Sequence, residues 1–201
     1  MKIKLMIGLF SFILAWQVIG QTTCKTTRMI PLYYLNERTP PFELIDAQGV
    51  KHSLEDYRGK KLILFFFHYS QASDSELDWS CNLAQMRYLT KVYAGLKKFN
   101  IEIVGIAGRT SPETIADYKQ RHKVPFTLLS DDHSVASRYG TTDEFGWIIR
   151  STFIFDEQGL VVKAIQHTDP RAHVIEILLY FFEECYLETL ENMSYQKGRL
   201  T

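Results

Sequence analysis

The chain is poor in the features that most readily disclose a function. Its 201 residues contain three cysteines, Cys24, Cys81 and Cys185, which form no C-x-x-C pair and no metal-ligand spacing. The six histidines are scattered as well, so no metal site and no cofactor are expected. The formal net charge is zero, and removing Lys2 and Lys4 from the 23 basic side chains leaves 21 against 23 acidic ones. Without a basic stripe, nucleic acid is not an expected partner. No repeat or low-complexity segment interrupts the chain. What it does have is apolar content, 46% hydrophobic, enough for one domain with a real core.

The first 20 residues are expected to be a signal peptide outside that core. Lys2 and Lys4 form a basic start, and Leu5 to Ile19 an apolar stretch too short to span a bilayer comfortably. Val18 and Gly20 then stand where small residues mark cleavage, so the mature chain is expected to begin at Gln21 and to be exported, periplasmic or secreted. No stable membrane anchor is expected after cleavage. Residues 21–38 read as a polar lead-in, 39–190 as the domain and 191–201 as a tail.

Within the domain, Phe42–Leu44 and Val50–Leu54 flank Asp46-Ala47-Gln48-Gly49, a hairpin signal. Lys61–Phe67 and Ile101–Ala107 are apolar runs of buried-strand length. Between them a long helix is expected from about Ser75 to Phe99, with Leu89, Val92, Tyr93 and Leu96 on one face. Ser111-Pro112-Glu113 is a helix start, with cap, proline and acid in order, and that helix should end near His122. A short strand (Phe126–Leu129), a short helix (Ser134–Tyr139) and a second hairpin (from Ser151, and Leu160–Ile165) follow. Asp169-Pro170 opens a last helix to about Leu190. Strands alternating with helices give an α/β class, a mixed sheet covered on both faces.

The segment Arg150-Ser151-Thr152-Phe153-Ile154-Phe155 carries the most information. It is a buried strand opened by an arginine, and a guanidinium there requires an anionic neighbour. The order of elements resembles the peroxiredoxins of the AhpC/TSA redoxin family, especially their bacterioferritin-comigratory-protein type. The passages that carry the resemblance are Pro41-Phe42-Glu43-Leu44, Ser53-Leu54-Glu55-Asp56-Tyr57-Arg58-Gly59-Lys60, Val124-Pro125-Phe126-Thr127-Leu128-Leu129-Ser130-Asp131 and the Arg150 strand. They span about residues 39–182. The resemblance implies a thioredoxin-like fold with an N-terminal β-hairpin, and a cysteine peroxidase using a peroxide and a thiol reductant such as a thioredoxin-like protein.

The family's P-x-x-x-T-x-x-C string is absent. Counting forward from Phe67 sets His68, Ala72 and Ser75 at its three marked positions, whereas counting back from Gly105 lands within a residue of Cys81, with Asp74 and Asp78 replacing the proline and threonine. On the second count Cys81 is the candidate nucleophile and Arg150 its thiolate-stabilising partner. Asp78 three residues upstream opposes this, because a carboxylate raises a thiol pKa. The plainer readings are a Cys81 buried as a small apolar residue and an Arg150 held in a structural ion pair. Phe145 and Trp147 would wall the site or belong to the core. Cys24 and Cys185, one in each flank, would form a structural disulfide, or one of them would resolve an oxidised Cys81; Cys185 otherwise packs beside Leu178 and Phe181–Phe182. A peroxiredoxin-fold module without peroxidase activity, used for binding or scaffolding, is the competing function. A disulfide reductase is disfavoured, since it needs C-x-x-C and normally a proline before the Arg150 strand, and none occurs between Pro125 and Pro170.

Overall fold

The computed structural model describes residues 36–69, 81–166 and 169–197; the side chains of 81–82 and 184–197 lie outside that description. Residues 1–35, with Cys24, and residues 70–80, with Ala72, Asp74, Ser75 and Asp78, therefore fall outside it. Among the described residues, no helix is long and apolar enough to cross a membrane.

Seven strands form one mixed sheet: β1 (Glu43–Asp46), β2 (Lys51–Ser53), β3 (Lys61–His68), β4 (Ile101–Gly108), β5 (Thr127–Asp131), β6 (Ser151–Phe155) and β7 (Val161–Gln166), in the order β2-β1-β5-β4-β3-β6-β7. β3, β4 and β5 run parallel, while β1, β2, β6 and β7 join antiparallel. The central position of β3 follows from its sequence, Leu-Ile-Leu-Phe-Phe-Phe, which is buried on both faces. The expected β1–β2 hairpin is held by Asp46. Burial alone would push the Asp46 carboxyl up, but backbone N–H groups of Val50 (2.9 Å) and Gln48 (2.8 Å) and the His52 ring outweigh it and hold the pKa down.

Helices cover both faces. On one, α1 (Cys81–Leu96) and α4 (Pro170–Lys197) bury Leu83, Met86, Leu89, Ile177 and Phe181 against Ile63, Phe65 and Phe67. α2 (Pro112–His122) adds Ile115 and Tyr118 to the same core, and the Ser111 hydroxyl accepts from Thr114 N at 3.3 Å, the cap its sequence announces. On the other face α3 (Ser134–Arg138) and Tyr139 pack on Leu64, Phe66 and Phe153. Alternation along β3 sends odd residues to one core and even residues to the other.

Two expectations are refined. The last helix continues to Lys197 because no proline or glycine intervenes before Gly198. Phe182 is 65% exposed beside buried Phe181, since neighbours on a helix point about 100° apart.

Candidate active site

Eight residues of β3 span about 26 Å and the sixteen of α1 about 24 Å, so the helix retraces the strand's length. Its C-terminal turn is fixed at the start of the strands, where Lys97 and Lys60 both contact Glu102. The Cys81 end of α1 therefore lies at the opposite edge, where β3 ends at His68 and β4 at Gly108. In open α/β sheets this carboxyl edge is where ligands bind.

Arg150 belongs to the same edge. The β3–β6 ladder ends at Phe66–Ser151, and Arg150 stands one step past it. Thr152 and Ile154 of β6 face the α1–α4 core, whereas Phe153 and Phe155 face the other, so period-two alternation assigns Arg150 to the α1–α4 face. Cys81, as a backbone position, and Arg150 thus share one edge and one face of the sheet. The Cys81 side chain lies outside the described residues, as does that of Cys185, which sits in α4.

The guanidinium of Arg150 is half-buried, and its pKa is pushed down to about 10 by desolvation, with the Asp169 carboxylate acting in the opposite direction. It stays charged at neutral pH. Asp169 precedes α4 and accepts the Ala172 N–H at 2.7 Å, so one carboxylate caps the helix and lends its charge to Arg150. One turn into α4, fully buried His173 meets Thr152 Oγ1 at 2.7 Å through Nε2. α4 is thereby fixed to the strand that carries Arg150. Neither Asp169 nor His173 was identifiable as a neighbour of this strand from sequence; the Asp169-Pro170 pair signals a helix start and nothing more.

The remaining groups at this edge are His68, Arg109, His133 and Trp147. The His68 ring sits edge-on to Trp147, with centroids 5.4 Å apart, and the Arg109 guanidinium lies 6.0 Å from the Trp147 ring. Trp147 and Phe145 are exposed, so they flank this edge on the surface and are not core. Burial lowers the His68 pKa from its ordinary 6.5, and Arg109 and His133 lower it further. His68 is therefore neutral in the fold, whereas the unfolded imidazole takes up a proton as pH falls past about 6.5. Its share of stability is present above that value and is lost as pH falls through the lower folded value. Tm is expected to drop as pH falls below about 6.5, with a shallower drop in His68→Gln. His122, shifted the same way by burial, Arg121 and Arg87, should keep part of the slope. An identical slope in His68→Gln would contradict the assignment.

Comparison with known proteins agrees with the fold. The AhpC/TSA family model matches residues 35–164. The chain is 31% identical to the chloroplastic peroxiredoxin Q of Sedum lineare, over 69% of this chain and 73% of that one. It is 26% identical to peroxiredoxin Bcp of Bacillus subtilis, over 80% and 96% respectively. Among solved structures, peroxidoxin BcpB from Mycobacterium tuberculosis superposes with a TM-score of 0.62 at 20% identity, covering 73% of this chain and 94% of that one. Xanthomonas campestris peroxiredoxin Q gives 0.62 at 18% identity, covering 78% and 96%. These structural likenesses establish the thioredoxin-like fold. With the family match spanning most of the domain, the chain belongs to the AhpC/TSA peroxiredoxins, of the Bcp and peroxiredoxin Q type.

Proposed function

We propose that the protein is an exported thiol-dependent peroxidase whose nucleophile is Cys81 and whose electrostatic partner is Arg150. The Cys81 thiolate attacks one peroxide oxygen. The O–O bond breaks, the thiolate sulfur becomes a sulfenic acid, and the other oxygen leaves as an alkoxide or hydroxide that takes a proton from solvent. A thiol reductant then displaces water from the sulfenic acid to form a disulfide, and a second thiol restores the cysteine. Arg150 favours the thiolate and stabilises charge on the leaving oxygen.

The observation that carries the reading is the half-buried, charged Arg150 on the edge and face to which the Cys81 end of α1 belongs. Family membership supports the same chemistry, with a peroxide and a thiol as reactants and a thioredoxin-like protein as the proposed reductant. The absence of P-x-x-x-T-x-x-C favours the second reading, a peroxiredoxin-fold module without peroxidase activity. Steady consumption of hydrogen peroxide by the purified chain in the presence of dithiothreitol separates the two. Consumption above the protein-free rate supports the enzyme, and none supports the module.

Export and the flanking cysteines are tested together. Protein recovered from the exported fraction is expected to begin at Gln21. Non-reducing peptide mapping of that material should yield a Cys24–Cys185 linked peptide if these two form a staple, or a Cys81–Cys185 peptide after peroxide if Cys185 resolves the sulfenic acid. Three free thiols under both conditions would remove both roles.

A further inference from the structure

The carboxyl edge of the sheet carries a second cluster, formed by residues that the peroxidase reading leaves unused. Arg109 follows β4, His133 follows β5, and Phe145 to Trp147 precede β6, so three separate segments converge on it. A Cβ at Gly146 would lie 2.7 Å from Arg109 Nη2 and 3.6 Å from His133 Nε2, and one at Gly108 would lie 3.2 Å from His133 Nδ1. The imidazole and the guanidinium are thus packed directly against glycine backbone. The turn carrying Gly146 is tightly held: Asp143 N donates to Trp147 O at 2.9 Å, and Asp143 Oδ1 accepts from Phe145 N and Trp147 N.

The local charges are unevenly used. Asp131 accepts the backbone N–H groups of Val135 and Ala136, Asp132 that of Ser134, and Asp143 those just named. Glu144 is exposed on the turn. Arg109, itself exposed, makes no ion pair among the described residues, and both His133 ring nitrogens are buried without a hydrogen-bond partner there. Beside this cation stand two large apolar surfaces open to solvent, Trp147 at 53% and Phe145 at 74% exposure. A positive group with no ion pair among the described residues, set beside aromatic faces, is complementary to a negative head on an apolar body.

We infer that this cluster binds the carboxylate of an amphipathic organic acid, the carboxylate on Arg109 and the hydrocarbon against Trp147 and Phe145. Arg109 accounts for a carboxylate because its planar fork donates two parallel N–H bonds to it. The inference does not rest on the peroxidase reading, and its test uses no peroxide. Isothermal titration of the full chain with sodium octanoate should give saturable one-site binding. Octanamide, which has the same body without charge, and acetate, which has the charge without a body, should each bind at least about tenfold more weakly. Arg109→Gln should bring octanoate to the octanamide level, and Trp147→Ser should weaken both eight-carbon ligands. Octanamide binding as tightly as octanoate, no saturable octanoate binding, or unchanged affinity in Arg109→Gln would each overturn the site. If Arg109→Gln does not fold, the octanoate–octanamide comparison on the unsubstituted chain decides.

Discussion

Protein carrying Cys81→Ser is expected to consume hydrogen peroxide no faster than a protein-free solution containing the same thiol. The expectation follows from chemistry before it follows from family. A serine hydroxyl stays protonated at neutral pH and is a poor nucleophile toward a peroxide oxygen, whereas a thiolate is a good one. Cys24 and Cys185 serve as internal controls. Cys24 lies near the expected start of the mature chain and Cys185 in the middle of α4, far in sequence from the α4 start beside Arg150. Serine at either is expected to leave the first peroxide turnover intact, although loss of a resolving partner would slow recycling. Peroxide consumption that survives Cys81→Ser undiminished would end the assignment of Cys81.

The next largest loss is expected from Arg150. Removing one donor that stabilises developing anionic charge typically costs about 10²–10³ in rate, and Arg150 is also expected to lower the thiol pKa. Arg150→Met keeps much of the apolar stem and removes the charge, so a fall of that order is expected in the second-order rate with peroxide. The pH at which Cys81 becomes alkylatable by iodoacetamide should rise in the same variant, a readout that a merely structural arginine would not move. Arg150→Lys should recover part of the charge but not the fork. Asp169 complicates the comparison, since removing Arg150 leaves that carboxylate without the cation it faces and could loosen the start of α4. Tm measured alongside the rate separates destabilisation from lost chemistry. A properly folded Arg150→Met with an unchanged rate and alkylation profile would show that Arg150 is a structural ion-pair residue.

Much of the fold is legible because its signals are local. The Lys61 and Ile101 runs contain too many consecutive apolar residues for any position but the sheet centre, and β3 and β4 occupy it. Ser111-Pro112 marks the first turn of α2 to the residue, because the cap and the proline act within that turn. Asp46 to Gly49 make a turn because Asp46 satisfies amides two and four residues ahead. The site is less legible because its contacts are not local. Arg150 and Asp169 interact across an entire hairpin, and the Thr152–His173 bond joins residues 21 apart in sequence. Trp147 reads from sequence either as a wall of the site or as core; Asp143 turns the backbone by accepting the Phe145 and Trp147 N–H groups, and the ring projects to the surface. The count from strand to helix leaves two positions for a nucleophile, Ser75 and Cys81, because periodicity cannot show where a polar loop yields to a helix.

Chemical trapping of the oxidised thiol decides the central claim most directly. Full-length protein treated with one equivalent of hydrogen peroxide and then with dimedone, a reagent specific for sulfenic acid, is digested and mapped by mass spectrometry. The account requires Cys81 to be the oxidised residue, as a dimedone adduct or as a disulfide to Cys185, with that product lost in Cys81→Ser and weakened in Arg150→Met. An adduct on Cys24 or Cys185 with Cys81 still a free thiol, or three free thiols while peroxide is still consumed, would contradict it.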